Sequence, residues 1–318
     1  MAGTSGGTQA RVGCVVDGRV RLDERLGAGA MGEVWRATHL DLQSVVAVKL
    51  LSPRYSSRDS RESRAASFLR EATLAQRVDC AHIVRVMECA VSPDLGPYIV
   101  MEMLDGLDLF EHLARWGGLE IAETAVIVAQ LCVGLEALHT ANVFHMDVKP
   151  ENVVMTTWRC RPCATLVDFS IARDGTSPID EAICGTPAYL SPERIQGTGG
   201  ADSRADLWSL AVVAYECLVA RVPFDDRTLG TVSVALERAT FVLPSAFRRD
   251  VPTGLDAWFR RAFARAPGDR FESATQMREV LIDACSPLPL VDSSCVRSAR
   301  TSEVRSRYPH LDGKREVA

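Results

Sequence analysis

The sequence predicts an α+β fold in which a small β-rich lobe with one helix is followed by a larger α-helical lobe. Apolar and polar residues alternate over Val20–Leu51, as they do in β-strands. Helical spacing then appears over Ala66–Val78, and strand patterns resume at about 83–91 and 98–103. Beyond Asp105 the apolar residues recur mainly at helical spacing. These three observations place a hinge between the lobes near that residue.

Three glycines in the first lobe form the pattern Gly27-x-Gly29-x-x-Gly32. A loop of this kind lets backbone amides approach phosphate groups closely. In a dinucleotide-binding fold a helix would begin at the last glycine. Here residues 33–37 alternate like a strand instead. We therefore expect the loop to join two antiparallel strands and to cover phosphates.

Lys49 ends the predicted strand 46–49. An exposed strand lysine is the simpler interpretation, but only three of the 36 basic residues in the chain are lysine. Random placement would put lysine at both 49 and 149 with a chance of roughly one in 200, which indicates that a compact ammonium is needed there. Glu71, on the helix of the first lobe, is placed to pair with Lys49 and hold it against phosphates, unless it is a surface glutamate.

The most specific motif is the segment 145–152, His-Met-Asp-Val-Lys-Pro-Glu-Asn, followed by Asp168-Phe169-Ser170. Phosphoryl transfer needs a carboxylate that orients the attacking hydroxyl and oxygen ligands that hold Mg²⁺. Asp147 supplies the first requirement, and Asn152 with Asp168 supplies the second.

From about Val20 to Cys285 the chain resembles a protein kinase of the eukaryotic-like serine/threonine type that is common in bacteria. The resemblance implies a two-lobed protein kinase fold that transfers the γ-phosphoryl group of ATP to serine and threonine hydroxyls of proteins, its own included. It implies Mg²⁺, or alternatively Mn²⁺, as the metal. The implied catalytic residues are Asp147, Lys149, Lys49, Glu71 and Thr186, and the implied metal ligands are Asn152 and Asp168.

The resemblance also implies a nucleotide site. Met101 would be the gatekeeper, the backbone of Glu102 and Leu104 would face adenine, and Asp108 would bind ribose. Apolar side chains around the base are equally explained as core. The implied nucleotide-binding residues are Leu26, Gly27, Gly29, Gly32, Val34, Ala47, Lys49, Met101, Glu102, Leu104, Asp108 and Val154.

The segment 185–193, Gly-Thr-Pro-Ala-Tyr-Leu-Ser-Pro-Glu, resembles the end of a protein kinase activation segment, which kinases of small molecules do not need. The resemblance implies an ion pair between Glu193 and Arg270, and it implies that Asp206 braces the catalytic loop. Lys149, two residues after Asp147, together with the threonine of this segment, indicates serine/threonine rather than tyrosine substrates.

Two residues depart from the family pattern. Met146 replaces the arginine that normally receives an activation-loop phosphate, so we expect phosphorylation at Thr176 or Ser177 not to be obligatory for activity. Ser170 replaces the glycine of Asp-Phe-Gly, and we expect the loop to sample fewer conformations while catalysis is retained.

The predicted organisation is a flexible leader (1–19), a kinase domain (20–285, with lobes 20–104 and 105–285) and a flexible tail (286–318). The net charge of −5 gives no reason to expect nucleic acid as a partner. The most apolar segment, 121–138, contains two glutamates and a glutamine, so we expect no membrane insertion and a cytoplasmic protein. Whether the chain forms a homodimer for autophosphorylation is left open.

Cys160 and Cys163 flank a predicted turn at Arg161–Pro162, and a metal or redox role for them is disfavoured.

Two other functions remain as alternatives. A pseudokinase scaffold would bind partners with weak or no catalysis, and the two departures motivate it. A kinase of small molecules would share the phosphate and metal residues but would not need the segment 185–193. Autophosphorylation on serine or threonine is expected only of the protein kinase.

Overall fold

A computed structural model describes residues 10–29, 32–51, 61–158, 161–174, 186–197, 202–224 and 240–285. The chain divides into two compact units. The first comprises the chain through Asp79 together with Val84–Leu104, and the second comprises Cys80–Ile83 and the chain from Asp105 onward.

The first unit contains a six-stranded antiparallel sheet with the strand order β1-β2-β3-β4-β6-β5. Its strands are β1 (Val15–Val16), β2 (Val20–Ala28), β3 (Gly32–His39), β4 (Ser44–Leu51), β5 (Val86–Ser92) and β6 (Gly96–Glu102). Strands β2, β3 and β4 confirm the strands predicted within residues 20–51, and β2 pairs antiparallel with β3; residues 30–31 of the glycine loop lie outside the described residues. The predicted flexible leader 1–19 is not flexible at its end, because Val15 and Val16 pair with β2. Valine and aromatic residues fill these strands because they pack well on a pleated surface.

The two faces of this sheet pack differently. One face carries the main core of the unit, formed by Leu22, Trp35, Ala37, Val46, Val48, Leu50, Tyr98 and Val100. The other face is covered by α1 (Arg61–Ala75), whose Phe68 and Ala72 pack against Ile99 of β6. The helix begins before the predicted Ala66, because its polar first turn lacks the apolar residues on which the prediction rested.

In the part of the second unit that the structure describes, there are five short strands. They are β7 (Leu107–Asp108), β8 (Val143–Phe144), β9 (Val153–Trp158), β10 (Arg161–Leu166) and β11 (Arg173–Asp174). Strands β10, β9 and β7 form one sheet in that order, and β8 pairs with β11.

The predicted turn at Arg161–Pro162 is wrong, because both residues lie in β10 opposite Trp158 and Thr157. Proline is tolerated there because β10 is an edge strand of its sheet. Gln130 covers this edge by donating to the Pro162 carbonyl at 3.0 Å. Residues 159–160, Cys160 among them, lie outside the described residues.

Among its described residues the second unit also contains six α-helices. They are α2 (Leu109–Trp116), α3 (Ile121–Thr140), α4 (Pro192–Ile195), α5 (Ser203–Val219), α6 (Thr253–Ala262) and α7 (Ala274–Cys285). Helix α3 begins with a reciprocal capping box between Glu120 and Glu123, which satisfies amides that the first turn leaves without intrahelical partners. Helix α5 is buried along most of its length, so it forms the centre of the unit.

Helix α3 is long and apolar enough to cross a membrane by length and composition alone. The core helix of a globular unit passes the same test, and 56% of the apolar window of α3 is buried. It packs against α5, α7 and β10. These contacts indicate that α3 is a core helix of this unit.

Candidate active site

The strand register of the first unit collects several predicted nucleotide-binding residues on one face of the sheet. Lys49 lies directly opposite Val34 on β3 and Ile99 on β6, and Ala47 lies directly opposite Met101. Opposed residues share a face, and side chains alternate along each strand. Val34, Ala47, Lys49 and Met101 therefore lie on the face that α1 covers.

Lys49 is almost buried on this face. The residue is 7% exposed, and its Nζ lies 5.8 Å from the centre of the Phe68 ring on α1. Buried ammonium groups in proteins are almost always paired with an anion. Glu71 lies on α1 one turn after Phe68, but its side chain is outside the described residues. The ion pair between Lys49 and Glu71 therefore stays a prediction.

Strand packing explains why glycine is present at one of the three loop positions but not at the other two. A Cβ at Gly32 would lie 2.1 Å from the backbone oxygen of Leu50, so strand pairing itself requires glycine there. No atom of the described residues lies within 4 Å of a Cβ built at Gly27 or Gly29. Packing of the unit thus explains Gly32 but leaves the other two glycines unexplained. Leu26, just before the loop, is 41% exposed.

We expect Gly32→Ala to lower the free energy of unfolding by about 1–3 kcal/mol, because the added methyl group must displace the backbone of β4. Gly29→Ala should change it by less than about 0.5 kcal/mol, because its methyl group meets open space. Urea unfolding of both variants measures the difference. Equal losses of stability in the two variants would contradict this explanation.

The end of β6 carries the predicted adenine contacts. The backbone nitrogen of Glu102 donates to the Arg85 carbonyl at 3.0 Å, and its Oε1 accepts from the Arg85 nitrogen at 2.8 Å. Because the Glu102 amide is used inside the unit, an adenine contact at this residue would have to use its carbonyl oxygen. Leu104 follows the strand and is partly buried.

The catalytic loop of the second unit brings four of the predicted side chains together. Asn152 Nδ2 donates to the Asp147 carbonyl at 2.8 Å and to Asp147 Oδ2 at 3.0 Å. Lys149 Nζ lies 2.7 Å from Asp147 Oδ2 and donates to Thr186 Oγ1 at 3.2 Å. One carboxylate, one ammonium, one amide and one hydroxyl therefore meet in a small region.

Asp168 lies beside this group because the nitrogen of Val167 donates to the Asn152 carbonyl at 2.9 Å. Its backbone is left-handed, with φ of 65°, a conformation that aspartate adopts more readily than most residues. Asp168 Oδ1 accepts from the Ser170 nitrogen at 3.2 Å and from Ser170 Oγ. Ser170 thus contacts Asp168 through its side chain as well as its backbone.

The donor set suits a hard cation. Asn152 donates through its side-chain nitrogen to Asp147. Its amide oxygen and the Asp168 carboxylate are the kind of oxygen ligand that Mg²⁺ prefers. Within the described ranges no group of three histidine, cysteine or acidic side chains is arranged to hold a metal. Asn152 and Asp168 therefore stay predicted metal ligands.

Asp206 braces the catalytic loop, as the sequence predicted. It is fully buried, and it accepts the backbone hydrogens of His145 at 2.9 Å and of Met146 at 2.7 Å. His139 Nε2 lies 2.9 Å from its Oδ2. Burial alone would raise the pKa of Asp206, but the hydrogen bond and charge of His139 hold it below its ordinary value. His139 was not predicted from the sequence, because one histidine near a helix end carries no distinguishing pattern.

Besides Asp206, Met146 is held by Arg194, a residue that was not predicted from the sequence. Its backbone is left-handed, with φ of 67°, and its side chain is buried. Arg194 Nη1 donates to the Met146 carbonyl at 2.5 Å. Non-glycine residues hold this conformation only where neighbours over-determine it. Thr176 and Ser177, the predicted phosphorylation sites, lie outside the described residues.

The predicted ion pair between Glu193 and Arg270 is confirmed. Both guanidinium nitrogens Nη1 and Nη2 donate to the carboxylate at 2.8 Å, and Nε donates to the Ala264 carbonyl at 2.8 Å. The guanidinium also lies 4.7 Å from the centre of the Trp208 ring. Burial alone would raise the pKa of Glu193, but the hydrogen bonds and charge of Arg270 lower it overall.

Asp108, the predicted ribose contact, lies directly opposite Val154 on the neighbouring strand. Its Oδ1 accepts from the nitrogen of Glu111 at 2.7 Å and so caps α2. Burial raises the pKa of Asp108. One carboxylate oxygen of Asp108 thus has a structural role in capping α2. The strand register places the Asp108 side chain next to that of Val154, the predicted base contact.

Comparisons with known proteins identify the family of the chain. A model of the protein kinase domain matches residues 20–265. Pkn1, a serine/threonine-protein kinase from Myxococcus xanthus, is 35% identical over 271 residues, which cover 83% of this chain and 38% of Pkn1. The kinase pkn3 from the same organism is 31% identical over 314 residues, which cover 95% of this chain and 56% of pkn3.

A further relative is the serine/threonine-protein kinase PknH from Mycobacterium tuberculosis, which is 33% identical over 280 residues, 87% of this chain and 43% of PknH. The chain thus spans between 38% and 56% of the length of these three relatives. The matched region contains the glycine loop, the catalytic loop, Asp168 and Glu193. On this match, the chain belongs to the protein kinase family, and it is of the bacterial serine/threonine type.

Proposed function

We propose that the chain is an ATP-dependent kinase that phosphorylates serine and threonine hydroxyls of proteins, including its own. The observation that carries the proposal is the meeting of Asp147, Lys149 and Asn152 in a loop braced by Asp206. Phosphoryl transfer requires little covalent chemistry from the protein and depends on positioned charges. This loop supplies such charges in a geometry that few other reactions need.

Each side chain of the catalytic loop has a proposed role. Asp147 orients the attacking hydroxyl and accepts its proton. Lys149, held between Asp147 and Thr186, stabilises negative charge on the transferred phosphoryl group. Protein kinases use ATP and a divalent metal, and we propose Mg²⁺, with Mn²⁺ as an alternative, held by Asn152 and Asp168. The bound metal would neutralise phosphate charge.

The first unit would contribute most of the nucleotide contacts. Lys49, paired with Glu71, would bind the α- and β-phosphates, and the amides of Gly27 and Gly29 would approach the phosphates closely. Close approach of these amides to phosphates would explain why residues 27 and 29 are glycine, which packing does not require. The remaining proposed contacts with adenine or ribose are Leu26, Val34, Ala47, Met101, Glu102, Leu104, Asp108 and Val154. We propose a catalytic domain over 20–285, to whose sheet the preceding β1 adds one strand, and a cytoplasmic location for it.

Incubating the purified chain with Mg-ATP and a generic basic protein, followed by mass spectrometry of both, tests the proposal. We expect phosphate on serine and threonine of the chain and of the added protein. ATP binding without any phosphate transfer, with and without Mn²⁺, would instead support the pseudokinase alternative, which Met146 and Ser170 motivate. Transfer to small molecules alone would support the other alternative.

We also expect Thr176→Ala/Ser177→Ala to retain at least about half of the wild-type activity, because position 146 lacks the arginine that would bind an activation-loop phosphate. Arg194 and Asp206 both hydrogen-bond to the Met146 backbone and so hold the catalytic loop there. Initial rates with the basic protein substrate measure this. A loss of more than about tenfold in a folded variant would show that loop phosphorylation is required.

A further inference from the structure

We propose that Ser170 is a positioning residue that orients the Asp168 carboxylate for the metal ion. The proposal rests on the proposed function, because it takes Asp168 to be a metal ligand. The family pattern has glycine at this position, so the side chain is a feature of this chain rather than of the motif. The hydroxyl therefore adds a contact that glycine could not make.

The contact is specific to one carboxylate oxygen. The Ser170 nitrogen donates to Asp168 Oδ1 at 3.2 Å, and Ser170 Oγ donates to the same atom. With glycine at 170, the hydroxyl donor would be lost and the backbone donor would be kept. Two donors on one oxygen restrict rotation of the carboxylate more than one donor does, and they leave the orientation of Oδ2 defined.

The backbone around this contact is already fixed by other interactions. The Val167 nitrogen donates to the Asn152 carbonyl at 2.9 Å, and Phe169 is buried with its ring centre 4.9 Å from that of His145. A turn follows, in which the Ala172 nitrogen donates to the Phe169 carbonyl at 2.9 Å. After the turn, β11 pairs with β8. With the backbone held on both sides, the Asp168 side chain is the part that the Ser170 hydroxyl can still orient.

A carboxylate that is oriented before the metal arrives loses less freedom on binding. Partners that hydrogen-bond to metal ligands are typically worth about 10–100-fold in metal affinity or activity. We therefore expect the Ser170 hydroxyl to strengthen binding of the metal–nucleotide complex. Binding of nucleotide without metal should not depend on it, because Asp168 contacts the nucleotide only through the metal.

The experiment measures binding of a non-hydrolysable ATP analogue by calorimetry, with Mg²⁺ and separately with EDTA. We expect Ser170→Ala and Ser170→Gly to weaken binding with Mg²⁺ by about tenfold and to leave binding with EDTA unchanged. Ser170→Thr should keep wild-type affinity, because it retains the hydroxyl. Thermal unfolding of each variant shows whether the fold is intact.

A matched control is available at the start of α5, where Ser203 Oγ donates to Asp202 Oδ1 at 3.1 Å. Ser203→Ala removes a similar bond and should leave both affinities unchanged. If Ser170→Ala binds Mg²⁺ and analogue as the wild type does, the proposal is overturned and the kinase function stands. A loss that is equal with Mg²⁺ and EDTA also overturns it, since that is a general structural effect. If the wild type gains nothing from Mg²⁺ or Mn²⁺, the proposed function fails together with the inference.

Discussion

Asp147→Asn is expected to lower the rate of phosphate transfer by about 10²–10⁴-fold, the range that a positioned general base contributes. Asparagine has nearly the shape of aspartate, so the contact with Asn152 can persist through the side-chain oxygen. The variant loses the negative charge that orients the hydroxyl and accepts its proton. It also loses the ionic partner of Lys149, whose Nζ lies 2.7 Å from the carboxylate.

Initial rates with saturating Mg-ATP and the generic basic protein measure this effect. Affinity for the ATP analogue should stay within about threefold of the wild-type value, because the proposed nucleotide contacts do not include Asp147. Asp283→Asn removes the same charge from an exposed position on α7 and should retain full activity. If Asp147→Asn stays as active as this control, Asp147 is not the base and another residue must orient the hydroxyl.

The parts of the structure that sequence could predict are those that follow from local pattern. Alternation in residues 20–51 predicts strands because a half-buried sheet imposes a period of two. The spacing of Asp147 and Asn152 predicts their meeting because one short loop holds both. The ion pair of Glu193 with Arg270 is different, since 77 residues separate the two. Only the family resemblance could pair them, and the geometry then confirmed it.

The contacts that sequence did not predict depend on tertiary packing. Arg194 is one of many arginines in the chain, and nothing in its neighbours indicates that it reaches the Met146 carbonyl. His139 contacts Asp206 because α3 and α5 pack together, which no local period reveals. The misplaced turn at Arg161–Pro162 has a related cause. Proline is a turn signal in sequence, but an edge strand accepts it as well.

Arg270→Met is expected to lower the free energy of unfolding by about 3–5 kcal/mol, the typical cost of removing one partner of a buried ion pair. The side chain of Arg270 is 1% exposed and that of Glu193 is 12% exposed, so the remaining carboxylate would lie in a low-dielectric environment without its cation. Methionine fills similar volume, which limits the cavity. Urea unfolding measures the loss.

The pair of Arg248 and Asp250 provides the control. Its N–O distance is 2.7 Å, as short as that of the buried pair, but the Asp250 side chain is 54% exposed. Exposed pairs contribute about 0–1 kcal/mol, so Asp250→Ala should cost no more than that. Burial rather than distance would then account for the difference between the two pairs. Similar losses in Arg270→Met and Asp250→Ala would show that burial does not set the cost.

Acid should reduce the effect of Arg270→Met. The pKa of Glu193 in the folded protein lies below its ordinary value of 4.5, so its stabilising contribution is present above pH 4.5 and is lost as pH falls through the folded pKa. The gap in stability between wild type and Arg270→Met should therefore narrow below that pH. A double variant, Glu193→Leu/Arg270→Met, should be more stable than Arg270→Met at neutral pH, because it leaves no unpaired charge. If the double variant is the less stable of the two, the cost arises from lost packing around Trp208 and the carbonyl of Ala264 instead.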